Sequence, residues 1–169
     1  MSLPDAELLL QTLADKLRPL IQDNTALVGI HSGGAWLVER LLPLLGQHRE
    51  LPHGLLDISF YRDDFSRIGL HPQTKPSQIP FDVQDRHIIL VDDVLYTGRT
   101  IRAAMNELFD YGRPAAIMLA VLVSRNGREL PVSADVAAAE MTLAADQNLQ
   151  LRRREDGRFY LKLEDKPDA

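Results

Sequence analysis

The chain has 169 residues, 45% of them hydrophobic and 25% charged, with no cysteine and a formal net charge of -5 at neutral pH. That size supports one globular domain with a buried core. The acidic balance argues against a surface given over to nucleic acid, and the missing thiols exclude disulfides and thiolate metal sites while fitting a reducing, cytoplasmic setting. Met1 to Asp23 carries Leu9, Leu13, Leu17, Leu20 and Ile21 at helical spacing among acids and amides, which predicts an amphipathic helix rather than a targeting peptide. No apolar run approaches the roughly 20 residues that span a bilayer, so no membrane partner is expected.

Ala26 to Ile30 reads as a buried strand ending in the turn His31-Ser32-Gly33-Gly34, and Ala35 to Leu45 as a helix, with Pro43 a kink or stop near its end. Residues 54 to 61 alternate as a second strand, closed by Arg62-Asp63-Asp64. From Phe65 to Asp85 three prolines and a glycine interrupt any period, which predicts a long loop. Loops of that length in compact domains are usually functional or disordered. His87 to Val91 is a third strand and Arg99 to Tyr111 a helix, stopped by Gly112 and Pro114. Ala115 to Val123 is apolar throughout and predicts a central strand. Beyond Ser124 the pattern weakens to strand fragments at Val136 and Met141 to Leu143, a final strand at Phe159 to Leu163, and a frayed tail. Strands alternating with helices predict an α/β fold with a mainly parallel sheet.

The most informative run is Ile88-Ile-Leu-Val-Asp-Asp-Val-Leu-Tyr-Thr-Gly-Arg-Thr100. In open parallel sheets ligands bind beyond the carboxyl ends of the strands, where Asp92 and Asp93 fall. Two adjacent carboxylates there accept hydrogen bonds from vicinal sugar hydroxyls or help hold Mg²⁺ through water. Thr97, Gly98, Arg99 and Thr100 then open a helix with hydroxyl donors, backbone N–H groups and close backbone approach, which is what a phosphate monoester requires. The plainer alternative is that the acids merely end a strand and Thr97 caps a helix.

Val91 to Thr100 resembles the phosphoribosyl pyrophosphate (PRPP) signature of type I phosphoribosyltransferases. Asp57-Ile-Ser-Phe-Tyr-Arg-Asp-Asp64, Gly112-Arg113-Pro114, Leu119 to Val123 and Arg128-Glu129-Leu130-Pro131 extend the likeness to the PyrR family, pyrimidine-operon attenuation regulators with uracil phosphoribosyltransferase activity. The likeness runs from about Leu27 to Asp135. It implies one phosphoribosyltransferase domain over 1–169, with a mainly parallel sheet flanked by helices, a flexible loop at about 65–85 and a small hood from about 125–163. It further implies that Asp92 and Asp93 bind the ribose hydroxyls, and Mg²⁺ through them or through water. Val94, Leu95 and Tyr96 would complete the substrate site, with Thr97 to Thr100 on the 5-phosphate. His31, Ser32, Gly33 and Gly34 would form the pyrophosphate loop, and Arg62 would act in catalysis with the two acids. The implied partners are PRPP, uracil, UMP, an mRNA leader hairpin and further copies of the chain, in a dimer or higher form.

Two departures stand out. The family's pyrophosphate loop usually reads Lys-Thr-Arg-Gly, so both permanent cations are missing here, and His31 and Arg62 are the candidates to compensate. After Asp135 the family's Gly, Lys and Pro-Thr-Ser segment is replaced by Val136 to Leu143. Arg125, Arg128 and Arg152-Arg153-Arg154 are either phosphate contacts or a solvated face. Two readings follow: a Mg²⁺-dependent uracil phosphoribosyltransferase, or a UMP- and PRPP-sensing regulator with little turnover. A purine-salvage transferase is disfavoured by the Tyr61-Arg62-Asp63-Asp64 segment.

Overall fold

The computed structural model describes residues 2–46, 50–58 and 77–166. Helix α1 spans Ala6–Leu17 and is followed by a 3₁₀ turn at Arg18–Leu20. Asp5 caps it, its carboxylate accepting from the N–H groups of Glu7 at 2.8 Å and Leu8 at 3.4 Å, which satisfies two of the donors a helix start leaves open. Leu10, Leu13 and Leu17 are fully buried along its inner face. Each such side chain contributes about 1.5–3 kcal/mol when removed from water.

Strand β1 (Thr25–Ile30) leads into helix α2 (Gly33–Leu45), and β2 (His53–Leu56) follows. Strand β3 (His87–Leu95), helix α3 (Arg99–Phe109) and strands β4 (Ala116–Arg125) and β5 (Val136–Met141) come next. Among the described residues these strands form a five-stranded parallel sheet in the order β2-β1-β3-β4-β5. The chain closes with an antiparallel hairpin, β6 (Gln147–Arg153) and β7 (Phe159–Asp165).

Alternation along the strands splits the core between the two sheet faces. Leu27, Ile89, Val91, Ala120 and Leu122 pack toward α1, α2 and the hairpin. Val28, Ile30, Ile88, Leu90, Leu119 and Val121 pack toward α3. An ion pair ties the first face together: Arg40 of α2 meets Glu7 of α1 at 2.6 Å, and Glu7 also accepts from the N–H of Phe159 at 2.8 Å. The Arg40 hydrogen bond holds the Glu7 carboxyl below its ordinary range, against the opposing effect of burial.

Several expectations need correction. The acids do not end β3, because the ladder to β4 continues past them to the pair Leu95 and Ser124. Helix α2 ends at Leu45 as expected, but Pro43 lies inside it rather than stopping it, and the Gly46 N–H closes the helix by donating to Leu42 O at 2.9 Å. The proline removes one hydrogen bond, and only Leu44 and Leu45 follow it in the helix. The fragments at Val136 and Met141 belong to one strand, built on Ala137, Ala138 and Ala139, which are poor strand formers held by pairing to β4. Helix α3 stops at Phe109 and α1 covers only part of Met1 to Asp23. Of the strand expected at 54–61, residues 53–56 are strand and 59–61 lie outside the described residues; so do Arg62 and the part 65–76 of the expected loop. No helix among the described residues is long and apolar enough to cross a membrane.

Candidate active site

The order β2-β1-β3 means that the chain leaves β1 toward one side of the sheet and that β3 lies on the other. The carboxyl ends of β1 and β3 therefore flank a switch point, the place where open α/β sheets bind ligands. A cavity of about 180 Å³ opens there. One wall is the turn after β1, with His31, Ser32 and Gly33; the other is β3, with Asp92, Asp93 and Val94. Tyr96 lines it from the loop after β3, Thr100 from the first turn of α3, and Arg125, Asn148 and Leu149 from β4 and β6.

The acids are held by their own backbone. The Asp93 N–H donates to Asp92 Oδ1 and the Val94 N–H to Asp93 Oδ1, each at 2.8 Å. Asp92 is buried, 6% exposed, and Asp93 is half-buried. Facing them, the turn after β1 comes very close. A Cβ at Gly33 would lie 2.5 Å from Asp93 Oδ2, and one at Gly34 would collide with the carbonyl of Val91. The glycines thus let α2 start directly against β3. Two hydrogen bonds fix this turn: the His31 N–H donates to Leu56 O at 2.9 Å and the Trp36 N–H to Ser32 O at 3.1 Å.

The loop after β3 is equally constrained. Gly98 caps α3 with φ +95, a left-handed conformation that favours glycine, and the Arg99 N–H donates to Thr97 Oγ1 at 3.2 Å. The Thr97 carbonyl accepts from Glu129 and Leu130 at 2.9 and 3.1 Å, so the segment after β4 braces the loop. Tyr96 sits among cations. The Arg125 guanidinium lies 4.0 Å from its ring centre, Arg128 donates to its carbonyl, and Lys166 Nζ donates to its hydroxyl at 2.9 Å.

Of the residues singled out in the sequence, His31, Ser32, Gly33, Asp92, Asp93, Val94, Tyr96 and Thr100 meet in the cavity. Leu95 does not: it is 1% exposed and packs with the α3-side core. Gly34 acts through packing, and the Arg99 side chain points to solvent with Glu129 at 2.9 Å. Asn148 and Leu149 of β6 and Lys166 beyond β7 join the site without a signal of their own in the residue types. The pair Asp156-Gly157, between segments of alternating polarity, was the available hairpin signal.

Comparison with known proteins identifies the family and the fold. Residues 2–145 match the family model for a phosphoribosyl transferase domain. The chain is similar to the bifunctional protein PyrR of Nitrosococcus oceani, 59% identical over 130 residues that cover 77% of this chain and 73% of that protein. It is also similar to the bifunctional protein PyrR of Pseudomonas paraeruginosa, 51% identical over 155 residues, 89% of this chain and 90% of that one. Among solved structures, a hypoxanthine-guanine phosphoribosyltransferase from Bacillus anthracis shares the fold with a TM-score of 0.65 at 15% identity, over 83% of each chain.

Proposed function

The chain belongs to the PyrR family of type I phosphoribosyltransferases, and on that premise we propose that it joins uracil to PRPP, giving UMP and pyrophosphate. The observation that carries this reading is the placement of Asp92 and Asp93 across from the glycine turn at the switch point of the sheet. A ribose held by the acids would present its C1 toward that turn.

In this reading Asp92 and Asp93 accept from the ribose hydroxyls, while Thr97, Thr100 and the N–H groups at the start of α3 hold the 5-phosphate. The bond from C1 to the pyrophosphate oxygen breaks with its electron pair on the oxygen. Uracil N1 bonds to C1, and its proton passes to the departing pyrophosphate or to solvent. Positive charge develops on the sugar, so the two carboxylates also lie where they stabilise it. The Asn148 amide offers both a donor and an acceptor to the edge of the base. The β6–β7 hairpin would be the hood, and the protein would work as a dimer or higher form.

Among the described residues no group of three or more His, Cys, Asp or Glu is placed to hold a metal ion. Two adjacent carboxylates suit Mg²⁺ all the same, because that ion is commonly held by one or two carboxylates with water and substrate phosphates. Asp92 and Asp93 would hold it through water or the ribose hydroxyls, and its charge would offset that of the leaving pyrophosphate.

The test supplies PRPP and Mg²⁺ with uracil, hypoxanthine, guanine, adenine and orotate in turn and follows pyrophosphate release. Uracil-dependent release that vanishes in Asp93→Asn is the expected result. UMP binding without turnover on any base would leave a nucleotide sensor instead. The regulatory half of the proposal is binding to an mRNA leader hairpin, with affinity that falls as salt rises. Absence of binding at low salt would count against it.

A further inference from the structure

The turn that faces the leaving group, His31 to Gly34, contains no lysine or arginine. A departing pyrophosphate carries several negative charges, and donors aimed at developing charge are usually the largest part of such catalysis. Among the described residues two arginines outside the turn each line a cavity that His31 also lines, and they differ in how free they are.

Arg125 is 3% exposed and already committed. Its Nη1 donates to Gln147 O at 2.6 Å, its Nη2 to Ala144 O at 3.1 Å and its Nε to Asn126 O at 3.3 Å, with the guanidinium stacked on Tyr96. Those bonds fasten the start of the hairpin to the end of β4. Arg153 is the opposite case. Together with His31, Trp36 and Glu39 it lines a groove of about 480 Å³ beside the turn. Its side chain is 43% exposed, and its contact with Glu39 is a loose 3.9 Å to a carboxylate that is itself 73% exposed. Its guanidinium carbon lies over Trp36, 4.4 Å from the ring centre, a contact that holds it near the first turn of α2. Its backbone is anchored, because Arg153 pairs with Phe159, whose N–H is bound by Glu7. An anchored strand end thus carries a half-free cation to the edge of a turn that lacks one.

We propose that Arg153 binds the leaving pyrophosphate, supplying from the hairpin the positive charge absent from residues 31–34. The inference rests on the transferase reading and names one more residue of that site. Glu39 would be exchanged for the phosphate oxygens, a stronger and bidentate partner for a guanidinium, while Trp36 keeps the planar group oriented.

The experiment compares wild type, Arg153→Ala and Arg153→Lys by calorimetric titration with Mg²⁺-pyrophosphate and, separately, with UMP. UMP has the ribose 5-phosphate but no pyrophosphate. Losing one charge-assisted contact should weaken pyrophosphate binding by about tenfold or more in Arg153→Ala, raise the KM for PRPP in step, and leave UMP affinity within about twofold. Arg153→Lys should recover part of the loss. In wild type, pyrophosphate should change the fluorescence of Trp36, the sole tryptophan. Unchanged pyrophosphate affinity in Arg153→Ala, or an equal loss for UMP and pyrophosphate, overturns the role of Arg153 and leaves the transferase reading standing. A wild-type protein that binds neither UMP nor PRPP sinks the transferase reading, and this inference with it.

Discussion

The two walls of the cleft are built on opposite principles. On the β3 side, residues 92 to 100 contribute side chains and backbone donors: two carboxylates held by their own amides, two threonine hydroxyls and the first turn of a helix. On the β1 side, Gly33 and Gly34 contribute by having no side chain, which lets the start of α2 rest against Asp93 and the Val91 carbonyl. One wall acts through what it presents and the other through how close it comes. Position 33, where the family usually carries an arginine, has no room for a Cβ beside Asp93 as it stands, so any side chain there must displace that carboxylate.

The largest expected effect tests the presenting wall. Asp93→Asn keeps the shape and an oxygen that still accepts from the Val94 N–H, but removes the charge. Turnover should fall by about 100- to 1,000-fold, the range seen when one transition-state stabilising group is lost, with little change in denaturation midpoint. A loss below fivefold would show that the acids only shape the strand. Gly33→Ala tests the close wall without removing any polar group. The added methyl must displace the Asp93 carboxylate, and a misplacement of that size is expected to cost on the order of tenfold or more in kcat. If Gly33→Ala retains full activity, the two walls are independent after all. Gly34→Ala reads out differently, since the obstacle is the backbone of β3. It should cost about 1–3 kcal/mol of folding stability, as overpacking does, seen as a lower urea midpoint.

The comparison also explains what could be read in advance. Residues 88 to 100 and the strands around them were legible because acids, hydroxyls and a long apolar run declare themselves in the residue types. The fit of Gly33 against Asp93 was not, because it joins positions 60 apart in sequence, and a glycine does not say what it makes room for. The hairpin was half legible. Phe159 to Leu163 stood out by alternation, whereas Gln147 to Arg153 mixes amides and arginines on its outer face. Its burial of Leu149 and Leu151 shows only once the sheet is in place. Arg125 stands in the sequence as either a phosphate contact or part of a solvated face, and a strand that ends two residues later than expected carries it inside, to the wall of the cavity.

The smallest effect concerns the clamp that holds α1, α2 and the hairpin behind the close wall. Glu7 accepts from Arg40 and from the Phe159 N–H, and its carboxyl is held below the ordinary value mainly by the Arg40 hydrogen bond. A carboxyl whose pKa is lower in the folded than in the unfolded chain stabilises the fold above its unfolded value. That contribution begins to fade as pH falls below about 4.5, the ordinary value, and is gone only below the lower folded value. With Arg40 37% exposed, solvent screening limits the contribution to about 1 kcal/mol. Glu7→Gln should therefore lower stability by about that amount at pH 7 and remove part of the decline on the acid side, measured by urea titrations from pH 7 down to pH 3.5. The same variant sharpens the contrast between the walls. Slackening the clamp loosens the frame that carries Arg153 and the glycine turn, so it should raise the KM for PRPP more than it weakens UMP, whose ribose and phosphate the proposed function assigns to the β3 side. Equal weakening of both ligands would mean that the walls move as one body.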